Sequence, residues 1–138
     1  MKKITKINPP AMPVPTRAFS NGIFIPLGGA DLLFLSGQTA QDDGGNVMFP
    51  DDCTEQTRYV FRKIGDILKE ADMNFDDVVN VRIFVTDMDE SPKVSAVRDE
   101  AFAHSRPATS MIEISRLVKP DCRVEIEVVA IKLRETGA

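Results

Sequence analysis

Near the C-terminal end of the chain, residues 123–131 read RVEIEVVAI. In an extended strand Val124, Ile126, Val128 and Ala130 project one way, and Arg123, Glu125, Glu127, Val129 and Ile131 the other. Two carboxyls sharing one face suit proton transfer, because partial burial and a like-charged neighbour both raise a carboxyl pKa. The same residues also suit ion pairs with Arg123 or Arg82. The rest of the chemical inventory is sparse. His104 is the lone histidine, and Cys53 and Cys122 lie far apart without a CxxC spacing. No zinc site of the usual Cys/His kind can be assembled from that set, and no metal or cofactor is expected. Nothing beside Cys122 would activate a thiolate. The acidic stretch QDDGGNVMFPD lacks the ligand spacing and terminal glutamate of a calcium loop, and reads as a turn.

The positions of these residues depend on the elements that carry them. With 138 residues and 43% apolar composition, one domain spanning 1–138 can bury a core without staples. A net charge of −4 argues against a nucleic-acid or anionic-membrane partner. The start MKKITKINPP has lysines but no apolar stretch behind them, and the apolar runs elsewhere are short. A reduced, cytoplasmic protein without a membrane span is expected.

Residues 1–16 form a proline-rich arm, since four prolines in NPPAMPVPT exclude helix and central strand. Strands are predicted over AFSNGIFIP and LLFLSGQ, the latter apolar on both faces. A helix follows, with Asp52 as N-cap, Glu55 completing a capping-box pattern, and Val60, Phe61, Ile64, Ile67 and Leu68 on its buried stripe. Asp72 is its C′ residue and Met73 the apolar residue beyond. DVVNVRIFVTD is a strand with Val79, Val81, Ile83 and Val85 on one face, and Val78, Asn80, Arg82 and Phe84 on the other. A second helix is expected from Ser91 to His104, with Pro92 at its first position, Val94, Val97, Ala101 and Phe102 inward, and His104 in its last turn. ATSMIEIS and the opening strand complete the order β-β-α-β-α-β-β. Two helices cover one sheet face only. The other, with Phe84, Val129, Ile131 and its charged neighbours, is too apolar for water and too charged for a dry core. Self-association with wet pockets at the seams resolves that conflict.

LFLSGQ, DDVVNVRIFVTDM, RPATSMIEISRL and VEIEVVAI together resemble the Rid family (RidA/YjgF-like imine and enamine deaminases), from about Phe19 to Ile131 and in the same element order. The resemblance implies an α+β, chorismate-mutase-like fold: a six-stranded mixed sheet with two helices packed on one face, closing as a trimeric barrel. It also implies a homotrimer with a small-molecule substrate held in intersubunit pockets. Carried over position by position, Glu125 matches the catalytic glutamate, and Ser36 and Gly37 match a substrate-binding turn with close-approaching backbone donors. Phe19 stands at a tyrosine position, and Phe84 is pocket wall. Thr109 stands where the family's carboxylate-binding arginine belongs, next to Ser110, and a threonine hydroxyl cannot replace a bidentate guanidinium. Arg17 and Arg106 are the cations nearest in sequence to the two departures. The expectation is a cofactor-free hydrolase acting on an imine, enamine or related metabolite; the alternative is a metabolite-binding trimer without turnover.

Overall fold

The computed structural model describes residues 3–135. One mixed sheet runs through the molecule. Its strands are β1 (Thr5–Ile7), β2 (Gly22–Pro26), β3 (Ala30–Leu35), β4 (Gln38–Thr39), β5 (Val78–Val85), β6 (Ala108–Glu113) and β7 (Val124–Leu133), with helices α1 (Cys53–Glu70) and α2 (Ser91–Ala101) between them. The strand path is β1-β2-β3-β7-β5-β6, and β4 joins β7 off that path. All pairings are antiparallel except β5 with β6. This is the expected α+β architecture, but with seven strands rather than the six that the resemblance implied, because two short strands join the five read from the sequence. Thr5–Ile7, inside the proline-rich arm, pairs with β2, and the two-residue β4 had no periodicity to reveal it.

Helix α1 forms because its ends and its stripe agree. Asp52 accepts from the Glu55 N–H at 3.1 Å, while Glu55 turns outward to Arg58 at 2.7 Å, so only half of the capping box is made. At the other end Asp72 adopts φ 58°, its N–H donates to the Lys69 carbonyl and that of Met73 to the Leu68 carbonyl. That is a Schellman closure, with Met73 buried beneath it. Val60, Ile64, Ile67 and Leu68 on this helix are wholly buried against Leu33, Val81, Ile83, Ile126 and Val128 of the sheet. Each such side chain contributes about 1.5–3 kcal/mol by leaving water. Two corrections fall on α2. It ends at Ala101, so His104 lies beyond it, exposed and 3.6 Å from Asp76, rather than in its last turn. Pro92 is its second residue, not its first.

The predicted phase of β5 holds from Val81 to Val85 and fails before that. A bulge between Val78 and Asn80 puts Val78 in the core and leaves Val79 46% exposed. Strand β7 alternates as expected: Val124, Ile126, Val128 and Ala130 are buried on the helix side. Glu125, Glu127, Val129 and Ile131 lie on the opposite, uncovered face. Leu32 and Phe34 of β3 pair with Ile131 and Val129 on that face, where Phe34 is 45% exposed. Among the described residues no helix is long and apolar enough to cross a membrane.

Candidate active site

The uncovered face carries its chemistry where β3 gives way to β4. Both strands pair with the same edge of β7, Phe34 opposite Val129 and then Gln38 opposite Ile126, so one extra residue is inserted between them. Ser36 and Gly37 fall in this bulge. The insertion reverses the phase of the following residues. Gln38 points into the core, 4% exposed, with its amide donating to the Ser36 carbonyl at 3.1 Å. Thr39 consequently sits opposite Glu125.

Glu125 lies directly over the bulge. A Cβ placed on Gly37 would stand 2.6 Å from Glu125 Oε1 and 2.8 Å from its carboxyl carbon. Residue 37 must therefore lack a side chain for the carboxyl to rest where it does. On the other flank, Phe84 of β5 is the register partner of Glu125. The half-buried carboxyl thus rests on Gly37, with Phe84 and Thr39 as its register neighbours on the two flanking strands. Desolvation by burial, and secondarily the Glu127 charge, raise its pKa above the ordinary glutamate range. Such a group accepts a proton from water more readily than an exposed glutamate, and its pKa lies nearer to neutral pH, where it can serve in both directions.

The remaining sequence candidates divide by location. Ser36 donates its hydroxyl to the Ser20 carbonyl at 2.6 Å and its N–H to the Asn21 carbonyl at 2.9 Å. Both of its donors are thereby spent on tying β2 to the bulge. Phe19, adjacent to Ser20, keeps its ring 55% exposed. Ser110 is the register partner of Arg82 and shares the Glu125 face. Thr109 pairs with the buried Val81, which puts it on the helix side, away from Glu125 in the same chain. Its hydroxyl donates to the Pro107 carbonyl at 2.9 Å, and it lines a cavity of about 520 Å³ with Arg98, Phe102 and Arg106.

The ion pairs fall partly as expected. Glu127 faces Arg82 at 3.7 Å, a weak, solvent-screened contact. Arg123 turns away from both acids. It binds Glu90 at 2.8 Å and the Pro50 carbonyl at 2.7 Å, fastening the start of β7 to the loop before α1. Cys53 and Cys122 are buried and unbridged, and desolvation raises both thiols. Neither is an activated nucleophile. The described residues contain no cluster of three or more His, Cys, Asp or Glu suited to a metal ion. Thr39 was missed from sequence because its alignment with Glu125 depends on a one-residue insertion that no periodicity reports.

A mixed sheet backed by two helices on one face, with a carboxyl folded over a glycine bulge on the other, defines an α+β protein of YjgF-like type. The chain belongs to the Endoribonuclease L-PSP family, whose model matches residues 11–132. It is 33% identical over 120 residues to a RutC family protein of Pyrococcus abyssi, covering 87% of this chain and 91% of that protein. Among solved structures it is similar to YyfA of Yersinia pestis, a Rid-family protein of unknown function. There the identity is 31% and the TM-score 0.82, over 93% of this chain and 98% of that one. It shares its fold with Escherichia coli TdcF, solved with bound serine, at 24% identity and TM-score 0.78, over 95% and 99% of the two chains.

Proposed function

We propose that this protein is a cofactor-independent hydrolase of small imines or enamines, working as a cytoplasmic homotrimer with Glu125 as its proton-transfer group. The observation that carries the reading is the half-buried Glu125 carboxyl seated over Gly37, with its pKa raised by burial. A protonated C=N carbon is already electrophilic, so hydrolysis asks the protein for little. Glu125 takes a proton from water as the water oxygen bonds to that carbon, and passes it to the nitrogen of the adduct. The C–N bond then breaks as Glu125 takes the remaining hydroxyl proton, giving a carbonyl compound and ammonia, which carries that proton away as ammonium. Phe84 supplies an apolar wall, and the uncovered face closes against other copies to exclude bulk water. In the proposed trimer Thr109 reaches the substrate from a neighbouring copy, and it and Ser110 suit a neutral polar group there better than a carboxylate.

Purified protein is to be tested against imines generated in situ. Glu125→Gln is expected to lower turnover by about 10²–10⁴-fold, the usual contribution of a general acid–base group, with the oligomer intact. An unchanged rate removes Glu125 from the mechanism.

One observation favours a second reading, a trimer that binds a metabolite without turning it over. Thr109 stands at the arginine position, and its hydroxyl is engaged by Pro107. Thr109→Arg separates the two. Activity created by that substitution alone identifies a competent scaffold that lacked only the clamp. RNA cleavage, after which the family is called, finds little support in a chain of net charge −4 with one histidine.

A further inference from the structure

The two residues of β4 make few contacts of their own, yet their register puts Thr39 against Glu125 and fixes the bulge that carries Gly37. Something must hold so short a strand. On its sheet-facing side α1 sends Lys63 to it: the ammonium donates to the Thr39 carbonyl at 2.9 Å and to the Gln41 carbonyl at 3.2 Å. Hydrogen bonds from a charged donor are about twice as strong as neutral ones, and here two reach carbonyls in and just beyond β4. The chain beyond is also folded back, with the Met48 N–H on the Ala40 carbonyl at 2.8 Å. Lys63 is therefore the tie between the helix layer and the segment that frames the carboxyl.

We propose that Lys63 is a positioning residue for the Glu125 site: its ammonium clamps β4 flush against β7, and so keeps Gly37 and Thr39 closed over the carboxyl. The arrangement costs the lysine hydration. Desolvation lowers its pKa, against the smaller opposing influences of Cys122 and Asp43. An ammonium held in that setting has its worth in the carbonyls it engages. The inference rests on the proposed function only for the importance of Glu125; the mechanical link can be measured without any substrate.

The test is Lys63→Met, which keeps the length and apolar stem and deletes the donors. Two readouts are taken on the free protein: the carboxyl titration of Glu125 by carbon-detected NMR, and amide exchange along the β4–β7 and β5–β7 ladders. With the clamp gone, β4 amides should exchange on the order of tenfold faster or more, while the β5–β7 ladder keeps its protection. The Glu125 titration should move down toward the ordinary glutamate range as water reaches the carboxyl, with Glu127 the other charge bearing on it. If the methionine variant does not fold, Lys63→Gln, which keeps an uncharged and shorter donor, is read by the same measurements and should shift them the same way by less. Arg62→Met, which removes a surface cation stacked 4.5 Å over the Tyr59 ring, should move neither readout. An unmoved Glu125 titration with normal β4 protection in the Lys63 variant overturns the proposal. Because neither measurement involves turnover, a protein lacking imine hydrolysis would leave this result standing.

Discussion

A carboxyl is useful in proportion to how unwillingly it ionises, and at Glu125 that unwillingness has a local cause. Its Oε1 occupies the space where residue 37 would carry a side chain. Gly37→Ala should therefore expel the carboxyl toward solvent, lowering the Glu125 titration and activity together while the fold survives; NMR titration beside a rate assay checks both. A second consequence concerns stability. The folded-state pKa of Glu125 is raised, so the native state holds its proton to higher pH than the unfolded chain. This contribution to stability is fully present below the unfolded pKa and is lost as pH rises through the folded one. Glu125→Gln should accordingly raise the melting temperature at pH 7 and lose that advantage in acid, below the ordinary glutamate range. A pH series of melting curves decides it. A gain in stability coupled to a loss of turnover is the pattern expected where a group is kept for chemistry rather than for packing.

The elements that present Glu125 owe their placement to ordinary packing and to two insertions. Asp52 holds the first turn of α1, and Asp52→Ala should cost about 0.5–2 kcal/mol in urea unfolding. Gln56 on the same helix matters more, because it is wholly buried. Its amide donates to the Asp121 carbonyl at 2.9 Å, and its oxygen accepts the Arg123 N–H at 2.9 Å. Gln56→Leu leaves both backbone groups without their partner and should destabilise by about 1–3 kcal/mol for each, in the same measurement. The loop into β7 should loosen first. The helical stripe, the Asp72 closure and the alternation of β7 were legible because they repeat a period or obey a cap rule over several residues. The bulges at Val78–Asn80 and Ser36–Gly37 were not legible. A single extra residue reverses every side chain after it and leaves composition and spacing almost unchanged.

At the level of the whole molecule, both helices lie on one side of the sheet, and the other side presents Phe34, Phe84, Val129 and Ile131 beside Arg82, Glu125 and Glu127. A face so mixed is costly in water, and self-association is the physical remedy. Sedimentation is expected to find trimers. Val129→Arg should release single folded chains, because it buries an unpaired charge in the proposed interface. A wild-type protein sedimenting as single chains would remove the intersubunit pocket from the proposed function.

Taken alone, the amino-acid order was enough to determine the class of fold, the helix limits to within a few residues, and the family to which the chain belongs. It also singled out Glu125 as the candidate proton-transfer group. These follow from local periodicity, capping and motif agreement, which are properties of neighbours along the chain. Tertiary structure decided that Glu125 rests on Gly37 and faces Thr39, that Thr109 looks to the opposite side of the sheet, and that Lys63 secures the strand between. Each of those depends on which residues meet across a sheet or between layers. One inserted residue changes that meeting, and no short-range pattern records it.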